Sequence, residues 1–432
     1  MWFVLWWCIA SAADSDHETR WKQSQALAQE FSTKFSGVWR VVVDGEPVFE
    51  QAMGWSNEEN RIPMKLGNVF PLGSNTKLLT AVGLYQMQEQ GRIDLNASVQ
   101  TYLDASDFAN FGFSNLTTWC PRVSPDDPCE TITMHQLLSM SSGLMSAFTC
   151  EGSGMTPDSP YCHPLGGPEF LLYGGSIAEY VGLFINNPLA FKPGTSYGYA
   201  NPNFVLAAYV LEKLAGQPLS TYFDEAIFQP TDMTTAAYKP YDGQYGITAH
   251  YADQYVKYFY QTEDEATYLS TGTCRPYWSS GSLSGTGGVT GANADLVKLY
   301  RDLFENQGAT SKILSQASIS SLVQRWTAIP DAPAGVYFGQ GLTVRYLDPE
   351  STWPDQLFFC GETACSKTCI AMQGHVIATA FSNNAHLTFD SVNKWESWKT
   401  QHNPAYLVLH DQVLEEDGHA SEVRMRLLHL WI

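Results

Sequence analysis

Between Gly37 and Gly54 the apolar positions fall in two runs, Val38 to Val43 and then Val48 and Phe49, separated by Asp44-Gly45. β-Branched and aromatic residues dominate the first run, and Asp-Gly between two such runs predicts a hairpin. The alternation is imperfect, as in a strand buried on both faces. Pro47 has no N–H to give to a ladder, so the second strand is expected at a sheet edge. After Val69-Phe70-Pro71-Leu72-Gly73 the period changes. Leu78, Leu79, Val82, Leu84, Tyr85 and Met87 recur at helical spacing, without proline, up to Gly91. That predicts a long buried helix starting at Ser74 or just before it. Thr133 to Met140 reads as a short helix, and Asn203 to Leu214 as an apolar one closed by Gly216 and Pro218. Asn293 to Phe304 reads as a helix capped by Asn293. Residues 145 to 190 carry two Cys and many Gly and Pro, and read as loop. The last third returns to strands, at Tyr337 to Tyr346, Leu357 to Cys360, Thr368 to Met372 and Val376 to Phe381.

Strands at both ends with helices between them predict an α/β fold of the α+β kind. An antiparallel sheet is built from the N- and C-terminal segments and flanked by helices, with a mostly helical region inserted. The sheet is assigned to about 36–73 and 285–384 and the helical region to about 74–284, within one domain over 13–404. Residues 405–432 match no pattern, and no internal repeat or long low-complexity linker occurs.

Composition narrows the partners. The 432 residues are 44% hydrophobic, with 13 Trp, 22 Phe and 22 Tyr, which supports a sizeable core and argues against disorder. Lys plus Arg number 24 against 44 Asp plus Glu, a formal net charge of −20. Such a chain repels phosphate backbones and anionic lipid, so neither nucleic acid nor a membrane surface is an expected partner.

Trp2 to Ala12 is an uncharged apolar run ending in Ala10-Ser11-Ala12, the pattern of a secretory h-region and cleavage site. It is too short for a membrane span, and the usual positive n-region is missing; a buried N-terminal strand is the alternative. Residues 1–12 are therefore assigned to a signal peptide and the protein to the extracellular space. Loss of Cys8 leaves eight of the nine cysteines, an even number that disulfides can use up. Cys120 with Cys129, and Cys150 with Cys162, are close pairs, and Cys274, Cys360, Cys365 and Cys369 make the remainder. A zinc site could draw only on Cys360, Cys365, Cys369 and His375, whose spacing fits no standard ligand set. No metal or other cofactor is implied. The sequons at Asn96 and Asn115 permit glycosylation.

Ser74 and Lys77 lie three apart at the helix start, which places both on one face. A serine hydroxyl is a weak nucleophile until a base takes its proton. A lysine is that base only when neutral, a state that burial and the positive end of a helix dipole favour. The helix start also offers the Ser74 N–H as an oxyanion donor. The spacing alone is weak evidence, since Ser391-Val392-Asn393-Lys394 repeats it.

With its context, Phe70-Pro71-Leu72-Gly73-Ser74-Asn75-Thr76-Lys77-Leu78-Leu79-Thr80, the chain resembles the serine β-lactamase-like family. Class C β-lactamases, D-peptidases and related esterases are the nearest in pattern. The resemblance runs in order through Gly91 to Leu95, Thr131 to Thr133 and Leu137 to Leu144, where Met140 stands in place of the usual His. It continues through Phe191-Lys192-Pro193-Gly194 to Tyr199-Ala200-Asn201, then Gly287-Gly288-Val289 to Leu296, and spans roughly residues 36 to 384. It implies the β-lactamase/DD-peptidase fold. It also implies a serine hydrolase that acts on an ester or amide through an acyl-enzyme. Ser74 would be the nucleophile, Lys77 its base and Tyr199 a phenol in the proton traffic. Asn201 would bond Lys77 or the substrate amide.

The third family motif, Lys or His, then Thr or Ser, then Gly, has its best register at Phe359-Cys360-Gly361. Only the glycine survives there. The second oxyanion N–H would be that of Glu362, whose side chain adds negative charge at the rim. Lys367-Thr368-Cys369 looks similar but lies too near Asn383 and lacks the glycine, so it is set aside. Loss of the cation and the hydroxyl disfavours substrates that carry a carboxylate. Three alternatives remain: a catalytically inactive secreted binding protein on this fold, an acyltransferase using the same serine, and a nucleophile elbow at Gly194-Thr195-Ser196-Tyr197-Gly198. The elbow needs a buried strand before Gly194, and Pro188 and Pro193 argue against one.

Overall fold

The computed structural model describes residues 36–57, 60–145, 176–238, 284–330, 332–362 and 367–383. The Asp44-Gly45 pair does turn a hairpin between β1 (Gly37–Val43) and β2 (Glu46–Met53). Asp44 at φ 51° and Gly45 at φ 84° are both left-handed, the requirement of a type I′ turn and the reason Asp-Gly suits it. Pro47 sits on β2, which is an edge strand, and a bulge between Val41 and Val42 leaves Val48 exposed.

A two-stranded ribbon of β3 (Trp55–Asn57) and β4 (Ile62–Pro63) follows. Then comes β5 (Val69–Pro71), which joins a separate three-stranded sheet with β6 (Ala237–Tyr238) and β7 (Val289–Ala292), in the order β5-β7-β6. The expected sheet segment 36–73 is therefore divided, and its last strand lies outside the main sheet.

From the C-terminal part come β8 (Thr327–Ala328), β9 (Val336–Phe338), β10 (Thr343–Arg345), β11 (Gln356–Glu362), β12 (Lys367–Gln373) and β13 (Val376–Ser382). The main sheet runs β2-β1-β13-β12-β11-β10-β9-β8 and is antiparallel throughout. Insertion of β1 beside β13 is what closes the N-terminal segment onto the C-terminal one. The single strand expected over Tyr337 to Tyr346 is instead the β9–β10 hairpin. Its turn passes Gly341 at φ 85°, where a β-carbon would lie 2.8 Å from the Lys77 carbonyl. Glycine is needed there both for the backbone angle and for the close approach.

Helix α1 (Thr76–Glu89) follows a 3-10 turn at Gly73–Asn75 and is buried from Thr76 to Met87. A helix buried on nearly every side belongs to the core, and of its buried polar residues Thr76, Lys77, Thr80 and Gln86, Lys77 is the one that carries an ionisable group. The described chain continues with α2 (Ala105–Asn110) and α3 (Met134–Leu138), the latter started by a capping box between Thr133 and Gln136. Helix α4 (Ile177–Phe184) falls where loop was expected. Ser176 and Glu179 form its capping box, and Tyr180, Val181 and Phe184 are buried, a signal that the surrounding Gly and Pro masked.

Next come α5 (Asn201–Ala215), ended by left-handed Gly216, and α6 (Leu219–Phe223). Helices α7 (Asn293–Phe304) and α8 (Gln316–Leu322) lie in the segment assigned to sheet, between β7 and β8. Asn293 does not cap α7; Ala292 holds that position. The Asn293 side chain instead accepts from Arg40 Nε at 3.1 Å and Thr379 Oγ1 at 2.7 Å, which pins α7 across β1 and β13.

Cys120 and Cys129 stand at disulfide distance, as do Cys360 and Cys369, directly opposite on β11 and β12. The second pair takes two of the four ligands that the zinc alternative needed. Cys150, Cys162, Cys274, Cys365, the signal segment 1–12, Ser391 with Lys394, and the tail 405–432 lie outside the described residues. Mass spectrometry of non-reduced digests should recover the Cys120–Cys129 and Cys360–Cys369 cross-links, and finding free thiols at all four would refute both. Among the described residues no helix is long and apolar enough to cross a membrane.

Candidate active site

The 3-10 turn carrying Ser74 lies between β5 and α1 and packs on β11. The neutral packing partner there is Gly361, where a β-carbon would stand 1.8 Å from the Leu72 carbonyl oxygen and 2.8 Å from Asn75 Nδ2. No other residue type fits, so the surviving glycine of the third motif is a steric necessity of this turn. That contact places Gly361 of Phe359-Cys360-Gly361 directly beside the turn that carries Ser74.

Lys77, one turn on, is fully buried. Its Nζ donates to Ser74 Oγ at 3.0 Å and to the Thr286 carbonyl at 3.2 Å, and it lies 5.0 Å from the Tyr199 ring centroid and 5.9 Å from that of Phe204. No carboxylate among the described residues pairs with it. Burial in these apolar surroundings therefore pushes its pKa well below the ordinary lysine value. The ammonium is disfavoured and a neutral amine becomes available beside the serine.

Tyr199 approaches from the other side. Its hydroxyl donates to Ser74 Oγ at 2.8 Å, and the residue is 40% exposed, so it faces solvent rather than the core. The segment before it is laid down along the end of α3: Gly194 N donates to Ser141 O at 2.7 Å and Gly198 N to Met140 O at 2.9 Å. Met140, left-handed at φ 58°, accepts on its sulfur from Ala200 N at 3.5 Å and Asn203 Nδ2 at 3.4 Å. Its thioether thus holds the Tyr199-Ala200-Asn201 corner at the position where the family pattern has an imidazole.

Asn201 is the first residue of α5. It makes no hydrogen bond to Lys77, and its Oδ1 is buried without a partner. The expected Lys77 contact is therefore corrected, leaving the substrate amide as the candidate partner. Phe359 is half-buried on the same face of β11 as Gly361, edge-on to Phe338 at 5.9 Å; Phe338 is in turn edge-on to Tyr199 at 6.4 Å. Cys360 falls on the opposite face, at disulfide distance from Cys369, and so presents no thiol on the face of Gly361. Glu362 ends β11 opposite Lys367, and its side chain lies outside what the structure describes.

Thr368, set aside in the sequence, proves to be buried opposite Gly361 and bonded to the serine turn. Only its cross-strand register reveals it, and no linear offset from the motif carries that information. Lys367, by alternation, shares the face of Cys360 and Cys369, away from Gly361.

Ser196 is exposed in a turn, and no strand occupies residues 186–200. It lines a different cleft of about 570 Å3, together with His135, Gln136, Tyr197 and Trp326, and that cleft includes none of Ser74, Lys77 or Tyr199. The His135 ring stacks on Trp326 at 4.3 Å, and its Nδ1 is occupied by Gln340 Nε2 at 2.6 Å. The strand that a nucleophile elbow requires is missing.

Comparison with known proteins bears on the same region. A family model described as Beta-lactamase matches residues 25–398. Over 193 residues the chain is 29% identical to Esterase EstB of Burkholderia gladioli, covering 44% of this chain and 43% of the esterase. Over 210 residues it is 27% identical to the putative penicillin-binding protein PbpX of Bacillus subtilis (strain 168), covering 48% and 43%. These alignments span less than half the length of either relative. Among solved structures, the octameric penicillin-binding protein homologue from Pyrococcus abyssi superposes with a TM-score of 0.66 at 18% identity, over 93% of this chain and 78% of that one. At that identity the likeness is one of fold.

Proposed function

The chain belongs to the beta-lactamase family of serine hydrolases, and on that premise we propose that it cleaves a neutral ester or amide through an acyl-enzyme on Ser74. The observation that carries this reading is the position of the Ser74 hydroxyl between Lys77 Nζ at 3.0 Å and the Tyr199 hydroxyl at 2.8 Å. Neutral Lys77 accepts the Ser74 proton as Oγ attacks the substrate carbonyl, reversing the sense of the hydrogen bond described above. The backbone N–H groups of Ser74 and Glu362 receive the oxyanion. Tyr199 hands a proton to the departing alcohol or amine, and a water then hydrolyses the acyl-enzyme with the proton transfers run in reverse. The unpartnered Asn201 Oδ1 is free to accept from a substrate amide N–H.

Secretion is part of the same proposal, supported by the apolar Trp2 to Ala12 run and the two cysteine pairs at disulfide distance. Both sequon asparagines, Asn96 and Asn115, are exposed, as glycan attachment requires.

A fluorophosphonate probe followed by peptide mapping tests the assignment. The adduct is expected on Ser74. An adduct on Ser196 would restore the elbow reading, and no adduct on any serine would favour a binding protein on this fold.

A further inference from the structure

The residue after the nucleophile is bonded in a way the proposed reaction does not use. Asn75 is 2% exposed, and its Nδ2 lies 3.1 Å from the Leu72 carbonyl, 2.8 Å from the Thr368 carbonyl and 3.1 Å from Thr368 Oγ1. Thr368, fully buried, directs Oγ1 to the same Leu72 carbonyl at 2.9 Å and to Gly361 O at 3.3 Å. Leu72 O also accepts from Asn75 N at 3.2 Å, so one carbonyl at the head of the serine turn gathers a backbone donor, an amide and a hydroxyl. Asn75 Oδ1, by contrast, is buried with no partner. An unpaired buried acceptor is destabilising, so burial of this amide is not explained by stability alone.

We infer that Asn75 and Thr368 are positioning residues: they clamp the Leu72 carbonyl and so set the height of the Ser74 turn above β11. The inference rests on the reading of Ser74 as nucleophile. Its physical content lies in where the clamp attaches. One oxyanion donor, the Ser74 N–H, belongs to the turn, and the other, the N–H after Gly361, belongs to β11. The turn meets β11 at Gly361, where the Leu72 carbonyl and Asn75 Nδ2 come up against the strand, so Gly361 limits how close the turn can come but has no side chain to hold the spacing. The clamp fixes it from β12, the next strand, through the one hydroxyl that the register places opposite Gly361. The Cys360–Cys369 bridge one residue along ties β11 and β12 together on the other face, so the strand carrying the clamp and the strand carrying the second donor move as one. Donor spacing matters to the tetrahedral oxyanion and little to the bound ground state. A displacement on the order of 1 Å at a reacting centre can cost about 10²-fold in rate.

Thr368→Val keeps the shape and removes the hydroxyl, whereas Thr368→Ser keeps the hydroxyl. In single-turnover experiments with nitrophenyl acetate, Thr368→Val should lower the acylation rate constant about 10–100-fold, with the substrate dissociation constant within about twofold and the pH midpoint of acylation unmoved. Thr368→Ser should acylate at close to the wild-type rate. Asn75→Ala repeats the test from the other end of the clamp without substituting a residue of the sheet, and the same loss in the acylation rate constant is expected. Wild-type acylation by Thr368→Val or by Asn75→Ala would overturn the inference. So would equal losses in Thr368→Val and Thr368→Ser, or a shifted pH midpoint, which would place the effect on Lys77. Ser74→Ala separates this inference from its premise: surviving turnover there removes the nucleophile reading itself. A silent Ser74→Ala beside a full-speed Thr368→Val removes only the clamp.

Discussion

Lys77→Met is expected to lower kcat/KM on a nitrophenyl ester by about 10³-fold or more while leaving the fold no less stable. The two halves of this result have one cause. Lys77 is fully buried against the Tyr199 and Phe204 rings with no carboxylate partner among the described residues, and desolvation pushes its pKa well below the ordinary value. In the unfolded chain the same amine titrates near 10.4. Between the two values the unfolded state holds a proton that the folded state does not, so stability rises with pH across that window. The burial cost is therefore greatest below the folded-state pKa and vanishes as pH approaches the unfolded value. Methionine fills a similar volume and carries no such cost. Against it stands the Thr286 carbonyl, which loses the Nζ donor at a price of about 1 kcal/mol.

Melting curves of both proteins should therefore show the variant at or above the wild type at pH 7, with the wild type gaining on it as pH rises toward 10. In activity, the wild type should lose kcat/KM on acidification, with a midpoint well below that of a free lysine, because only the neutral amine can take the serine proton. A Lys77→Met protein that still turns over, or a melting difference that does not change with pH, would contradict the role given to this residue.

The parts of this molecule that local chemistry dictates are legible in its sequence. Asp44-Gly45 demands a left-handed pair, Pro47 demands an edge, and Ser74 and Lys77 stand one turn apart where a 3-10 turn runs into α1. Tyr199 is legible only through the order of family motifs, since nothing local says that a tyrosine after a Pro-Gly turn meets a serine 125 positions earlier. What stayed hidden depends on who lies across the sheet. Asn293 looks like a helix cap, yet its better partners are Arg40 and Thr379 on two strands distant in sequence. Thr368 belongs to a tripeptide that imitates the third motif, and its true place appears only when β12 is paired with β11. The loop reading of 145–190 failed at Ile177–Phe184 because the Ser176–Glu179 capping box was outweighed by the glycines and prolines around it.

The same pairing that reassigns Thr368 sharpens the expectation for specificity. In the family pattern, a cation and a hydroxyl ahead of the glycine suit a substrate carboxylate. Here the residue two before Gly361 is Phe359, closed into an aromatic row with Phe338 and Tyr199. Cys360 is turned to the far face and bridged, and Lys367 lies on that far face too. Thr368 does share the face of Gly361, but its hydroxyl is committed to Leu72. A penicillin carboxylate would thus meet an apolar wall on a chain of net charge −20. A charge-assisted hydrogen bond is worth about 1.5–3 kcal/mol, so the missing anchor alone accounts for roughly 10–150-fold. Desolvating the carboxylate against Phe359 adds to that. Neutral short-chain nitrophenyl esters are therefore expected to exceed benzylpenicillin in kcat/KM by about 100-fold or more. Because esters and β-lactams differ in intrinsic reactivity, the sharper measurement is the ratio of the two within one variant. Phe359→Lys restores a cation without touching the Cys360–Cys369 bridge, and it should narrow that ratio by at least about tenfold, chiefly by raising the β-lactam rate. Faster hydrolysis of benzylpenicillin than of the esters by the wild type, or a ratio unmoved by Phe359→Lys, would mean that the carboxylate is anchored elsewhere than on β11.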